Sequence, residues 1–115
     1  MKQDKTKWKA TALLFSGRQN PDWMLTDIQQ KSWLKLWQLA SLSDTEVESV
    51  SKLGYTGCRL QYDEHSHWQL YNGCVSFYEK GKSVSKKDDE KKMELFLLNT
   101  APGEVRGILK QQKII

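Results

Sequence analysis

The stretch from Tyr55 to Tyr78, "YTGCRLQYDEHSHWQLYNGCVSFY", constrains this chain most, because side chains on an extended backbone alternate between two faces. Cys58, Leu60 and Tyr62 fall on one face, and Arg59, Gln61 and Asp63 on the other. A helix would scatter that set around its circumference, so the pattern requires a strand with one buried and one wet side. "EHSH", residues 64–67, is polar and suits a hairpin loop. "WQLYNGCVSFY" then resumes the strand pattern with Asn72-Gly73 in its middle. Asn-Gly closes tight hairpins and also forms bulges. A turn here would leave two very short strands, so a bulge is expected. Residues 79–88, dense in lysine and acids, are expected as a charged, solvated loop.

Helical periodicity brackets this β region. Upstream, "WKATALLF" at 8–15 reads as a strand ending at Ser16-Gly17. Thr26 and Gln29 then form a capping box, with Asp27 at the helix start, where negative charge is favoured. Ile28, Trp33, Leu36, Trp37 and Ala40 make a helical stripe that Leu34 and Leu39 widen. Ser41 to Lys52 is a connector, and Ser43 with Glu46 allows a turn or two of helix within it. Downstream, Asp88-Asp89-Glu90 stand as acids before a second stripe, Met93, Phe96, Leu97 and Thr100. Pro102-Gly103 ends that helix, and Val105, Ile108 and Leu109 have the spacing of another turn or two. The order β-α-β-β-α implies an α+β fold, a small antiparallel or mixed sheet with helices packed on one face.

Five tryptophans in 115 residues make large rings the expected bulk of the core or of an interface. The length suits a single domain over 1–115, with residues 1–7 as a basic N-terminal tail. Of the formal net charge of +4, residues 1–10 carry +3, leaving a nearly neutral remainder. Cys58 and Cys74 are too few for a disulfide framework and read as reduced strand thiols. No secretory signal pattern or membrane-length apolar run is visible, so a soluble cytoplasmic protein without a membrane contact is expected.

Candidate chemistry is sparse. "FSGRQNPDW", residues 15–23, joins turn chemistry to one unexplained cation. Asn20 and Pro21 suit a turn, and Trp23 suits burial. Arg18 answers to neither and is read either as a cap on the last carbonyls of a neighbouring helix or, with Asn20 and Trp23, as the candidate site for a small anion or a protein partner. Asp63, His65 and His67 share a strand face if the chain stays extended, a weak metal alternative that also allows a metal-dependent or thiol hydrolase. No nucleophile elbow, phosphate-binding loop or zinc-protease motif is present, and no cofactor is implied. Strand aromatics with a basic balance raise nucleic acid as a further alternative. The first hairpin strand is mixed in sign, however, and core packing accounts for the aromatics.

With "FSGRQNPDW", "LGYTGC", "WQLYNGCV" and "MELFLLNTA" in place, the chain resembles a small group of bacterial proteins. These carry an F-S-G-R-x-N-P-x-W loop, an L-G-Y-x-G lead into a strand and a late helix ending near L-L-x-T-A. The resemblance spans roughly residues 13–101. It places Gly17, Arg18, Asn20, Pro21 and Trp23 at motif positions and carries over no activity and no catalytic residue. The expected function is a non-catalytic binding domain with its site at the loop after the first strand. Oligomeric state is left open.

Overall fold

The computed structural model describes residues 8–14, 20–47 and 55–115. Its elements are β1 (Lys9–Ala12), β2 (Asp22–Met24), α1 (Asp27–Leu39), β3 (Cys58–Asp63), β4 (Ser66–Tyr71), β5 (Cys74–Glu79), β6 (Lys82–Lys87), α2 (Lys92–Asn99) and α3 (Gly103–Gln111). The strands form one antiparallel sheet in the order β2-β1-β3-β4-β5-β6. The α+β architecture expected from the periodicities is the one observed.

The sheet is larger than its sequence pattern suggested, and its turns explain why. Asn72-Gly73 is a hairpin turn and not a bulge: both residues have positive φ, 51° and 85°. That is the backbone a two-residue turn needs to match strand twist. No short strands result, because Ser66 and His67 leave the expected loop and join β4, which pairs along its whole length with β5. Lys80-Gly81 repeats the device, with φ of 48° and 80°. It turns residues 79–88 from the expected loop into the end of β5 and the strand β6. β6 escapes a hydrophobicity reading because Lys82, Ser83, Val84 and Lys87 are exposed. The strand after Trp8 is shorter than expected, with β1 ending at Ala12.

Register assigns the two faces. Trp23, Ala10, Leu60, Trp68 and Phe77 lie in one row across the sheet, and Ala12, Cys58, Leu70 and Val75 in the next. Most of these are buried, and Phe77 packs at the margin of the same core. The helices pack on this face. Trp33 of α1 is fully buried and meets Trp68 edge-on at 5.6 Å, while Trp68 and Phe77 centroids are 4.6 Å apart. Edge-to-face aromatic contacts of this kind add about 0.5–1.5 kcal/mol each beyond their buried area. The capping box forms as expected: Gln29 N–H donates to Thr26 Oγ1 and Thr26 N–H to Gln29 Oε1. Ile28 and Leu39, counted in or beside the apolar stripe, are instead exposed at 78% and 76%. α2 contributes Met93, Leu97 and Leu98 to the core, and α3 contributes Leu109.

The connector after α1 forms no helix in its described part, residues 41–47. Ser43 Oγ accepts from the Thr45 amide, and Glu46 takes the Ser83 hydroxyl rather than closing a capping box. Ser43 N–H donates to Ser85 O, and Lys87 N–H to Ser41 O, so this segment runs along the free edge of β6. It then crosses to the opposite face, where Val47 N–H donates to Ser76 Oγ and Ser76 bonds Ser85. That face is therefore covered over β5 and β6 but not, by any described residue, over the middle of β1, β3 and β4.

Candidate functional site

The loop after β1 is where sequence reasoning placed the site. Arg18 lies outside the described residues, as do Phe15 to Gln19. Asn20 Oδ1 accepts from the Leu14 amide at 2.8 Å and so ties the two ends of the loop together. Trp23 is buried, as expected, and is the central residue of edge strand β2. It is 6% exposed, and its Nε1–H donates to Thr100 Oγ1 at 2.7 Å. Thr100 in turn donates to Leu97 O at the end of α2. Trp23 thus pins the sheet edge to a helix end. Both described members of the expected site make hydrogen bonds within the fold.

The histidine segment does not gather into a metal site. Asp63 Oδ1 accepts from the His65 amide at 2.8 Å, the bond of an Asx turn, and this holds the Asp63 carboxyl below its ordinary value. His65 sits in the turn, 3.9 Å from the exposed Glu64 carboxylate. His67 belongs to β4 and stacks on Tyr78, with centroids 5.1 Å apart and planes at 26°. Among the described residues no three His, Cys, Asp or Glu side chains lie close enough together to hold a metal ion.

The thiols are equally separated. Cys58 is on the helix-covered face, whereas Cys74 is on the other, and β4 lies between their strands. Both are free. Burial pushes both thiols up from their ordinary value, with Glu94 adding to the effect at Cys58. Cys74 Sγ donates to Thr45 O. His67 and Cys74 share a face but are four residues apart along the ladder (His67↔Tyr78, Tyr71↔Cys74), or about 13 Å at the usual strand rise. A thiol that stays protonated, beyond the reach of an imidazole, is not an activated nucleophile.

Two arrangements that sequence reasoning missed stand out. The first is buried at the end of the sheet. The Tyr55 hydroxyl donates to Glu94 Oε2, while Glu94 Oε1 has no hydrogen-bond partner among the described residues, although Glu94 is only 4% exposed. Burial raises the Glu94 carboxyl above its ordinary value, against the Tyr55 bond and Lys91, with Asp88 adding to the rise. Asp88, also buried, accepts from the Met93 and Glu94 amides at 2.7 and 3.0 Å. Neither carboxylate lines the cleft of about 190 Å³ together with the other: Asp88 does, with Leu36, Leu39, Ala40, Lys87 and Met93 among its neighbours, but Glu94 does not. The pair braces α2 against the sheet.

The second is the uncovered face itself. Register puts Met24, Lys9, Gln61, His67 and Tyr78 in one row, and Asp22, Thr11, Arg59, Gln69 and Ser76 in the next, with the exposed Asp22 carboxylate at the β2 edge. Lys9 and Arg59 are exposed, and neither has a described carboxylate within ion-pair distance. Burial first and the Arg59 charge second hold the His67 imidazole below its ordinary value. The Gln61 side-chain amide is tied back to Asp63 O and Ser66 O at the turn, away from the middle of the face. Alternation in "CRLQYD" already signalled this wet side. What it could not signal was that β1 would add Lys9 beside it, since strand neighbours are chosen by the fold.

No protein-family model, curated protein or solved structure matches this chain. The reading of its function therefore rests on geometry. Among the described residues no helix is long and apolar enough to cross a membrane.

Proposed function

We propose that this protein is a non-catalytic binding domain that holds a negatively charged partner on the open face over β1, β3 and β4. The observation that carries the reading is the pair Lys9 and Arg59, two exposed cations on adjacent strands without a described counter-ion. Surface cations are commonly balanced by nearby carboxylates. These two rows carry one exposed carboxylate, Asp22 at the β2 edge, which forms no ion pair with either cation, so the face keeps a positive balance that attracts anions from solution. Lys2, Lys5 and Lys7 precede β1 in the chain and add charge of the same sign. Arg18 joins the proposal on sequence alone, as the cation of the loop after β1. Catalysis is disfavoured by the protonated thiols and their distance from His67. A cytoplasmic setting accords with two cysteines left as thiols, and bacterial origin accords with the motif resemblance.

The test is retention on a heparin column. The wild type is expected to bind at low salt and elute as salt rises. A Lys9→Ala/Arg59→Ala double variant with an unchanged melting temperature is expected to elute distinctly earlier. Wild-type protein that passes straight through at low salt would overturn the proposal.

A further inference from the structure

We infer that the partner on this face is single-stranded nucleic acid, gripped between the His67 ring and the Arg59 guanidinium. The inference rests on the binding reading above and names its ligand. Three observations support it. His67 stands on β4 with one ring face stacked against Tyr78 of β5, so its other face is turned toward β3. On β3, Arg59 lies diagonally across from His67, close enough for its charge to act on the imidazole. Between them Gln61 is the direct partner of His67, and its amide is bonded back to the turn carbonyls, which leaves the space above β3 unfilled by that side chain.

An aromatic ring and a guanidinium set diagonally on adjacent strands of one face suit a planar, electron-rich group. A nucleobase is such a group, and both ring and guanidinium stack on it. Lys9 and Arg59 then face the phosphates that follow the base along the backbone. Gln69, in register with Arg59, supplies an amide for a base edge. A duplex keeps its bases stacked internally and offers this face only phosphates, so the slot favours a single strand. A sulfated polysaccharide offers charge without a ring to stack.

The experiment uses the full chain and a fluorescein-labelled, mixed-sequence single strand of about ten nucleotides. The same sequence as a duplex and heparin serve as competitors. Fluorescence anisotropy is expected to show the single strand bound and displaced far better by unlabelled single strand than by duplex. His67→Ala is expected to weaken binding about ten-fold or more, and His67→Phe, which keeps a ring, to restore most of it. The melting temperature of each variant checks that the sheet is intact. Lys9→Ala/Arg59→Ala is expected to make the slope of log affinity against log salt shallower by about 1.4, the value for two phosphates of a single strand. Single strand, duplex and heparin binding equally, with no effect of His67→Ala, would overturn this inference and leave the anion-binding reading standing. Failure of all three to bind would overturn both.

Discussion

Asp88→Ala is the most direct probe of how α2 is attached. The residue at the N-cap position of α2 is Lys91, which has left-handed backbone (φ 58°) and makes no capping bond. Glu90 before it is left-handed as well, with φ 57°. Successive left-handed residues other than glycine cost about 1–2 kcal/mol each. Asp88 offsets this from upstream of the irregular turn. Its two oxygens accept from the Met93 and Glu94 amides, the second and third residues of α2, which an ordinary N-cap side chain would serve. Truncation leaves two buried N–H groups without acceptors, at about 1–3 kcal/mol each. The variant is also spared the burial of a carboxyl whose pKa is raised by desolvation, which returns part of the loss. The expected net destabilisation is about 2–4 kcal/mol. A chain of 115 residues unfolds with an entropy that makes each kcal/mol worth about 4 °C, so the melting temperature should fall by about 8–16 °C. Urea unfolding followed by tryptophan fluorescence should show a lower midpoint at unchanged slope. Asp88→Asn, which keeps one acceptor, should lose about half as much. A loss below about 1 kcal/mol for Asp88→Ala would show that the irregular turn holds α2 without the carboxylate, and the reasoning would fail.

Glu94→Gln tests the buried carboxyl through pH. Its raised pKa means the folded state binds the proton more tightly than the unfolded state. That contribution to stability is therefore complete below the ordinary value of 4.5 and is lost as pH rises through the folded value. Glu94→Gln is expected to be the more stable protein at neutral pH and to lose that advantage in acid. A stability gap that does not change with pH would count against a raised Glu94 carboxyl. Gly57→Ala should be severe, because Gly57 has φ 110° and a Cβ there would overlap the Leu70 carbonyl oxygen on β4. A loss of more than about 3 kcal/mol, or failure to fold, is expected from thermal unfolding. A variant as stable as the wild type would show that this close approach can relax.

Much of the fold was legible because burial imposes a period. The alternation at Cys58, Leu60 and Tyr62 placed β3 with its wet side outward, and Thr26 with Gln29 marked the start of α1. The edges were not legible. β6 is exposed at Lys82, Ser83, Val84 and Lys87, and β2 is three residues long, so neither carries a burial period to read. Asn72-Gly73 was ambiguous locally because the same dipeptide serves a bulge or a turn. Only the full pairing of β4 with β5 decides between them. Among the expected site residues, Asn20 and Trp23 have partners at Leu14 and Thr100 that lie outside the motif, which no local pattern could name.

The sequence by itself marked the interior strands and the helices through side-chain spacing along each element, but not the edge strands β2 and β6. It also determined the surplus of positive charge and the lack of any catalytic motif. Tertiary structure alone decided which strands became neighbours. That choice set Lys9 beside Gln61 and Arg59, turned the second face of His67 toward β3, and buried Glu94 beneath Tyr55. The physical reason is that sheet pairing and helix docking join residues far apart in the chain. The electrostatics of a site depend on those joined neighbours and not on the residues adjacent in sequence.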